Sequence, residues 1–187
     1  RLALDGRAVR VSPAGDFAFG FGRDHAAQAR LAITAPAGAA ETRVLNIAKR
    51  QWPTESISGL PPAQVTPDAE TLTRIARERE KLGAIRALES GLTGFAEGFV
   101  RPAPGRISGV FGSQRILNGQ PRQPHYGLDF AAPTGTPVVS CAAGRVTLAD
   151  EFHFFGKLIV VDHGHGVNSL YAHLSEIAVR EGENITK

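Results

Sequence analysis

The stretch from Arg122 to Asp129, reading Arg-Gln-Pro-His-Tyr-Gly-Leu-Asp, sets the imidazole of His125 and the carboxylate of Asp129 four residues apart beside glycine and proline. Neutral imidazole nitrogen and carboxylate oxygen are both zinc ligands, and a catalytic zinc keeps one further position open. The same two groups can also hydrogen-bond and simply hold a polar turn. Spacing alone does not choose: for six histidines and seven aspartates in 187 residues, roughly 0.2 such pairs per chain arise by chance. Gly127 and the prolines argue against helix. The pair is therefore expected on a loop feeding a strand, with Gly127 letting the backbone fold until both side chains converge.

The remaining histidines divide by context. His163-Gly164-His165 imitates a two-histidine ligand pair but reads first as a hairpin loop, where His and Asp tolerate unusual backbone angles. His173, in Tyr171-Ala172-His173-Leu174, follows a strand. It could be a satisfied core or solvent-facing histidine, or a base or a stabiliser of developing negative charge, since imidazole titrates near neutral pH. His25 and His153 have no convergent partners in the pattern. The single Cys141 cannot form an intrachain disulfide, and its surroundings, Val138-Val139-Ser140-Cys141-Ala142-Ala143, read as a buried strand with a small core cysteine.

The elements that must carry these groups are mostly strands. Residues 1 to about 50 alternate in short runs, Ala8–Val11, Asp16–Phe19, Arg30–Thr34 and Arg43–Ile47, separated by turn clusters at the spacing of a small β-sandwich. Trp52-Pro53 and Gly59-Leu60-Pro61-Pro62 read as a stiff linker. A helix is expected from Thr66 or Asp68, either able to cap it, with Leu72, Ile75, Leu82, Ile85 and Leu88 as a partial apolar stripe until Gly91. After Gly98 come short apolar runs between Gly and Pro: Ile107–Phe111, Pro137–Ser140, Gly144–Leu148, Lys157–Val161 and Asn168–Tyr171. These predict a second, all-β domain. The expected division is residues 1–62 as an N-terminal β module with linker, 63–97 as a linking helix, and 98–187 as the second β domain.

Composition narrows the class. No run of about 18 apolar residues is present, so nothing in the sequence spans a membrane as a helix. The net charge of +3 and pI near 9.4 suit a polyanionic neighbour. Arg74, Arg77, Arg79, Lys81 and Arg86, however, interleave with Glu78, Glu80 and Glu89, which is solvated helix surface rather than a nucleic-acid footprint. The sequence begins at Arg1 and contains no Met, which predicts a mature or excised segment.

A series of short motifs adds what spacing could not. Phe111–Arg115, Asn118-Gly119, His125–Phe130, Ala132–Val138, Ala143–Val146, Val161–Gly164 and Leu170–Ser175 occur in one order. Over about residues 100–187 this series resembles the LytM-type, lysostaphin-related zinc endopeptidases of peptidoglycan. The resemblance implies an antiparallel β domain of the duplicated hybrid motif type, Zn2+ as cofactor, His125 and Asp129 as metal ligands, and His173 as a catalytic residue beside the metal. Peptides of bacterial peptidoglycan, stems or cross-bridges, would be the substrate, and an extracytoplasmic location, periplasm or cell envelope, follows from where that polymer lies. Arg115 and Asn118 belong to the loop before the site and are candidate groove residues.

One departure accompanies the resemblance. The family's third zinc ligand comes from a later His-x-His motif, and no such motif follows Leu174 here; the segment is expected to be an incomplete domain, inactive without firmly held metal, whose longer parent is a hydrolase. The N-terminal module would contact the peptidase groove, as cover or anchor. Two rivals stand beside the enzyme: a non-catalytic LytM-like protein that activates another wall hydrolase, and a plain wall-binding β module.

Overall fold

The computed structural model describes residues 1–59 and 67–187. The Leu60-Pro61-Pro62 part of the expected linker and the Thr66 cap fall outside the described residues. The chain is mainly β, with one α-helix among the described residues, as the strand-rich texture predicts.

The N-terminal strands β1 (Leu2–Leu4), β2 (Arg7–Val9), β3 (Gln28–Thr34) and β4 (Ala40–Asn46) form one antiparallel sheet in the order β2-β1-β3-β4. Leu2, Ala29 and Leu31 are its buried residues, and β3 shows the period-two alternation that places Ala29 and Leu31 on one face. The run Asp16–Phe19 is not a strand. Ser12 and Asp16 bond to each other through both side chain and backbone, and this turn chemistry takes the place of a ladder.

Asp68 caps the helix α1 (Ala69–Arg86), accepting the Thr71 N–H at 2.7 Å; that N–H holds the Asp68 carboxyl below the usual range. Leu82 is buried, and with Ile85 it packs on Leu148, Phe152, Leu158 and Val160. The helix therefore lies on the C-terminal core. Lys81 reinforces this by reaching Asp150 at 2.7 Å, and Glu78 accepts the His153 N–H at 2.8 Å.

That core belongs to the long strands β10 (Gly144–Phe152), β11 (Gly156–Gly164) and β12 (Val167–Leu174), joined by the short β13 (Asn184–Ile185) in an antiparallel sheet of order β12-β11-β10-β13. Leu148, Leu158 and Val160 are fully buried, each contributing about 1.5–3 kcal/mol through removal from water. The expected runs Gly144–Leu148, Lys157–Val161 and Asn168–Tyr171 all lie inside these strands.

Two smaller sheets stand beside this one. Strand β6 (Arg106–Gly109) pairs antiparallel with β9 (Asp129–Ala131). Strand β5 (Thr54–Ile57) pairs parallel with β7 (Gln114–Leu117), which pairs antiparallel with β8 (Gln120–Pro121). The strand β5 lies in the stretch read as linker. Pro137–Ser140 and Cys141 are not strand, contrary to expectation. Cys141 is half-buried, and its N–H goes to the Tyr171 hydroxyl at 2.7 Å rather than to a neighbouring strand.

Candidate functional site

His125 sits on the loop before β9, and Asp129 is the first residue of that strand. Their side chains converge, Nε2 of His125 lying 3.0 Å from Oδ1 of Asp129. Gly127 does not achieve this by a left-handed backbone; a side chain at 127 would instead stand 3.5 Å from the His125 ring. The closer constraint is Gly109 of β6, where an added Cβ would lie 2.8 Å from the Asp129 carboxyl carbon and overlap its oxygen. Gly109 pairs with Asp129 across the β6–β9 ladder, which brings the two into register. The next residue of β9, Phe130, lies under the Arg101 guanidinium at 4.7 Å.

The backbone of His125 is held from both sides. Its N–H donates to the Ser113 carbonyl at 2.7 Å, and its carbonyl accepts the Gly112 N–H at 2.8 Å. The ring is oriented as well, because Nδ1 lies 3.2 Å from the Val110 carbonyl, which also accepts the Ser113 hydroxyl at 2.9 Å. A carbonyl can only accept, so Nδ1 carries a proton, and in the neutral ring Nε2 presents its lone pair.

This protonation pattern has a chemical consequence. Nε2 then faces a carboxylate oxygen, a second acceptor, at hydrogen-bond distance. Two apposed acceptors need a cation between them, either a proton that makes the ring an imidazolium or a metal ion. Two ligands of one tetrahedral zinc, each about 2.0–2.1 Å from the ion, stand roughly 3.3 Å apart, close to the distance seen. A backbone carbonyl on the other ring nitrogen is the usual way a ligating histidine is fixed. The two residues thus fit one nitrogen and one oxygen position of a zinc site. Both remain solvent-accessible, with side-chain exposures of 34% and 57%. Among the described residues no group of three or more His, Cys, Asp or Glu is gathered in a way that could hold a metal.

His173 is on β12, exposed, with a left-handed φ of 59°. Its N–H donates to the Phe155 carbonyl at 2.8 Å, near a shift of register between β11 and β12. Non-glycine residues seldom hold that conformation, and it costs on the order of 1–3 kcal/mol. The structure joins His125 to Asp129 and leaves His173 outside that pair.

His163 and His165 part company. His165, with φ 53°, and Gly166 form the turn between β11 and β12, as the hairpin reading expects. His163 is fully buried at the end of β11. Its Nδ1 meets the Ala143 carbonyl at 2.8 Å and its Nε2 the Ser169 hydroxyl at 2.7 Å; Ser169 and Tyr171 hydroxyls are 2.9 Å apart. Every polar atom of this chain of groups has a partner, so it braces the sheet. Burial pushes the Tyr171 phenol above its ordinary pKa. His25 lies 3.7 Å from Asp5, and His153 packs edge-on against Phe154. Arg115 pairs with Glu55 on β5, and Asn118, with φ 49°, turns the chain between β7 and β8.

Sequence reasoning missed Gly109, the Val110 carbonyl and Trp52, which packs against Gly112 and Phe111. The Gly109-Val110-Phe111-Gly112 spacing and the single tryptophan were the available signals. A shallow hollow lined by Asp16, Phe17, Phe95, Phe99 and Val167 contains none of the three predicted site residues.

Comparison with known proteins finds relatives for the C-terminal part of the chain. The family model described as Peptidase family M23 matches residues 123–187. Peptidoglycan DD-endopeptidase ShyA of Vibrio cholerae is 36% identical over 83 residues, which are 44% of this chain and 19% of that protein. DD-carboxypeptidase/endopeptidase Mpg of Neisseria meningitidis is 39% identical over 77 residues, 41% of this chain and 18% of that protein. The matched region thus spans about a fifth of the length of these relatives. A solved structure from Pseudomonas aeruginosa, named as a peptidase M23, superposes with a TM-score of 0.68 at 27% identity, covering all of this chain and 72% of that one.

Proposed function

We propose, from the match of residues 123–187 to the model of Peptidase family M23, that the protein is a zinc-dependent endopeptidase hydrolysing peptide bonds in the stems or cross-bridges of bacterial peptidoglycan. The observation that carries the proposal is the apposition of His125 Nε2 and Asp129 Oδ1 at 3.0 Å while Nδ1 is committed to the Val110 carbonyl. His125 and Asp129 would hold the metal, which would supply a Lewis acid for the scissile carbonyl and for the attacking water. Asp129 is held in register by the Gly109 pairing. His173 serves as the catalytic residue that moves a proton or steadies the oxyanion. Such chemistry takes place where peptidoglycan lies, in the periplasm or cell envelope. The N-terminal β module would meet the peptidase segment through Arg23, whose Nη1 donates to Gln114 at 3.2 Å.

A second reading is favoured by one observation: among the described residues no third ligand joins His125 and Asp129. On that reading the protein is a non-catalytic LytM-like activator of another wall hydrolase. Digestion of purified peptidoglycan by the full-length protein, beside His125→Ala and a chelator-treated sample, decides between them. Release of muropeptides by the wild type alone supports the enzyme; equal release by all three, or none by any, overturns it.

A further inference from the structure

Trp52 lies outside the M23 segment, in the stretch that reads as a linker, yet it reaches the His125 site through packing. We infer that Trp52 is a positioning residue for His125, and that β5 belongs structurally to the site rather than to the linker. The inference rests on the metal-site reading above.

Three layers of contact carry it. Nearest the site, the turn from Val110 to Ser113 supplies three hydrogen-bond contacts that place His125: the Val110 carbonyl at Nδ1, the Ser113 carbonyl at the backbone N–H, and the Gly112 N–H at the backbone carbonyl. Beneath that turn sits the Trp52 ring. Gly112 has a φ of +87°, and any Cβ placed there would fall inside the indole. Phe111 meets the same ring edge-on with centroids 5.7 Å apart, and the Arg50 guanidinium covers it at 5.1 Å. The half-buried indole thus fills the space that the missing side chain leaves.

Beyond the turn, the chain continues into β7, and β5 runs alongside it from Thr54 opposite Gln114 to Ile57 opposite Leu117. The Gln114 N–H donates to the Pro53 carbonyl at 2.9 Å, and the Asn118 N–H to the Ile57 carbonyl at 2.8 Å. Among the described strands β7 pairs only with β5 and β8, apart from the four-stranded sheet. Without β5 it would be a lone two-stranded hairpin, and such hairpins are marginal in water. The indole and β5 together therefore determine how firmly the Val110–Ser113 turn, and through it the imidazole, is held.

The test uses full-length protein, wild type beside Trp52→Ala, Trp52→Phe and Trp52→Leu. In the metal-free proteins, amide hydrogen exchange is followed at Gly112 and His125, whose N–H groups make the bonds described, and at Leu158–Val161 in β11 as an internal control. Trp52→Ala should speed exchange at Gly112 and His125 by at least about tenfold with the β11 amides unchanged. Zinc affinity, read by competition with a colorimetric chelator, should fall roughly tenfold, as for loss of a group supporting a ligand. Trp52→Phe should restore both to within about threefold. Wild-type exchange at Gly112 and His125 in Trp52→Ala overturns the inference, as does acceleration shared equally by β11, which would mean general destabilisation. If Trp52→Ala does not fold, Trp52→Leu carries the same outcomes, because it keeps apolar bulk and removes the flat ring. Should the wild type bind no zinc, the metal reading fails, while the exchange measurements still decide whether Trp52 orders His125.

Discussion

Adding one methyl group opposite Asp129 should disable the proposed metal site while leaving the fold standing. Gly109 faces the Asp129 side chain across the β6–β9 ladder, and a Cβ there would lie 2.8 Å from the carboxyl carbon, where ordinary contacts begin at 3.4 Å. In Gly109→Ala the carboxylate must retreat by at least roughly 0.6 Å or rotate away, three times or more the roughly 0.2 Å tolerance of a metal–ligand distance. The φ of Gly109 is not left-handed, so alanine brings no backbone strain. The displaced carboxylate is 57% exposed, so it swings into water at little cost. Zinc affinity should therefore drop 10- to 100-fold, equivalent to about 1.4–2.8 kcal/mol, while unfolding free energy changes by less than about 1 kcal/mol. Chelator competition and thermal unfolding of the full-length protein measure the two quantities, with Gly20→Ala as background, since nothing lies within 4 Å of Gly20. Zinc affinity within twofold of wild type would show that the carboxylate position beside His125 does not serve the metal.

Other outcomes follow from the same geometry. His173→Gly removes a side chain from a position at φ 59°, so the protein should melt no lower than wild type, while peptidoglycan cleavage falls at least about 100-fold; unimpaired cleavage would remove His173 from the chemistry. Leu158→Ala, at a fully buried site packed against α1, should cost about 2–5 kcal/mol in denaturant unfolding. Tyr171→Phe leaves the Cys141 N–H without its 2.7 Å partner and should cost about 1–3 kcal/mol. Because burial raises the Tyr171 pKa, the folded state holds that proton more tightly than the unfolded state. Stability from this source is complete below about pH 10 and declines as pH rises beyond it, which alkaline denaturation of wild type against Tyr171→Phe measures. The hydrogen bond from Lys81 lowers the Asp150 carboxyl, so that contribution is present above about pH 4 and lost as pH falls below it. Both partners are about half exposed, so a double-mutant cycle should give a coupling of no more than about 1 kcal/mol.

How much of this was legible beforehand differs from element to element. The helix start at Asp68 was readable because a capping carboxylate acts on an N–H three residues away, and β10, β11 and β12 were readable because apolar periodicity is local. Asp16–Phe19 and Pro137–Ser140 carry the same apolar texture, but neither enters a ladder. Strand texture states that a segment can pair, and only the availability of a partner edge states that it does.

The candidate site divides along the same line. The order of short motifs named His125 and Asp129, and the loop-then-strand geometry followed from Gly127 and the prolines. Sequence alone determined which side chains are candidates and roughly how the chain presents them. Tertiary structure decided that their reactive atoms meet at 3.0 Å, that a distant carbonyl at Val110 selects the ring tautomer, and that Gly109 clears the carboxylate. It also turned Thr54–Ile57 from an expected linker into a parallel strand beside β7, 60 positions along the chain from its partners. Hydrogen bonds and steric contacts act through space over a few ångströms, whereas a sequence pattern reports only on neighbours along the chain; contacts that close long loops leave no local trace until the fold brings them together.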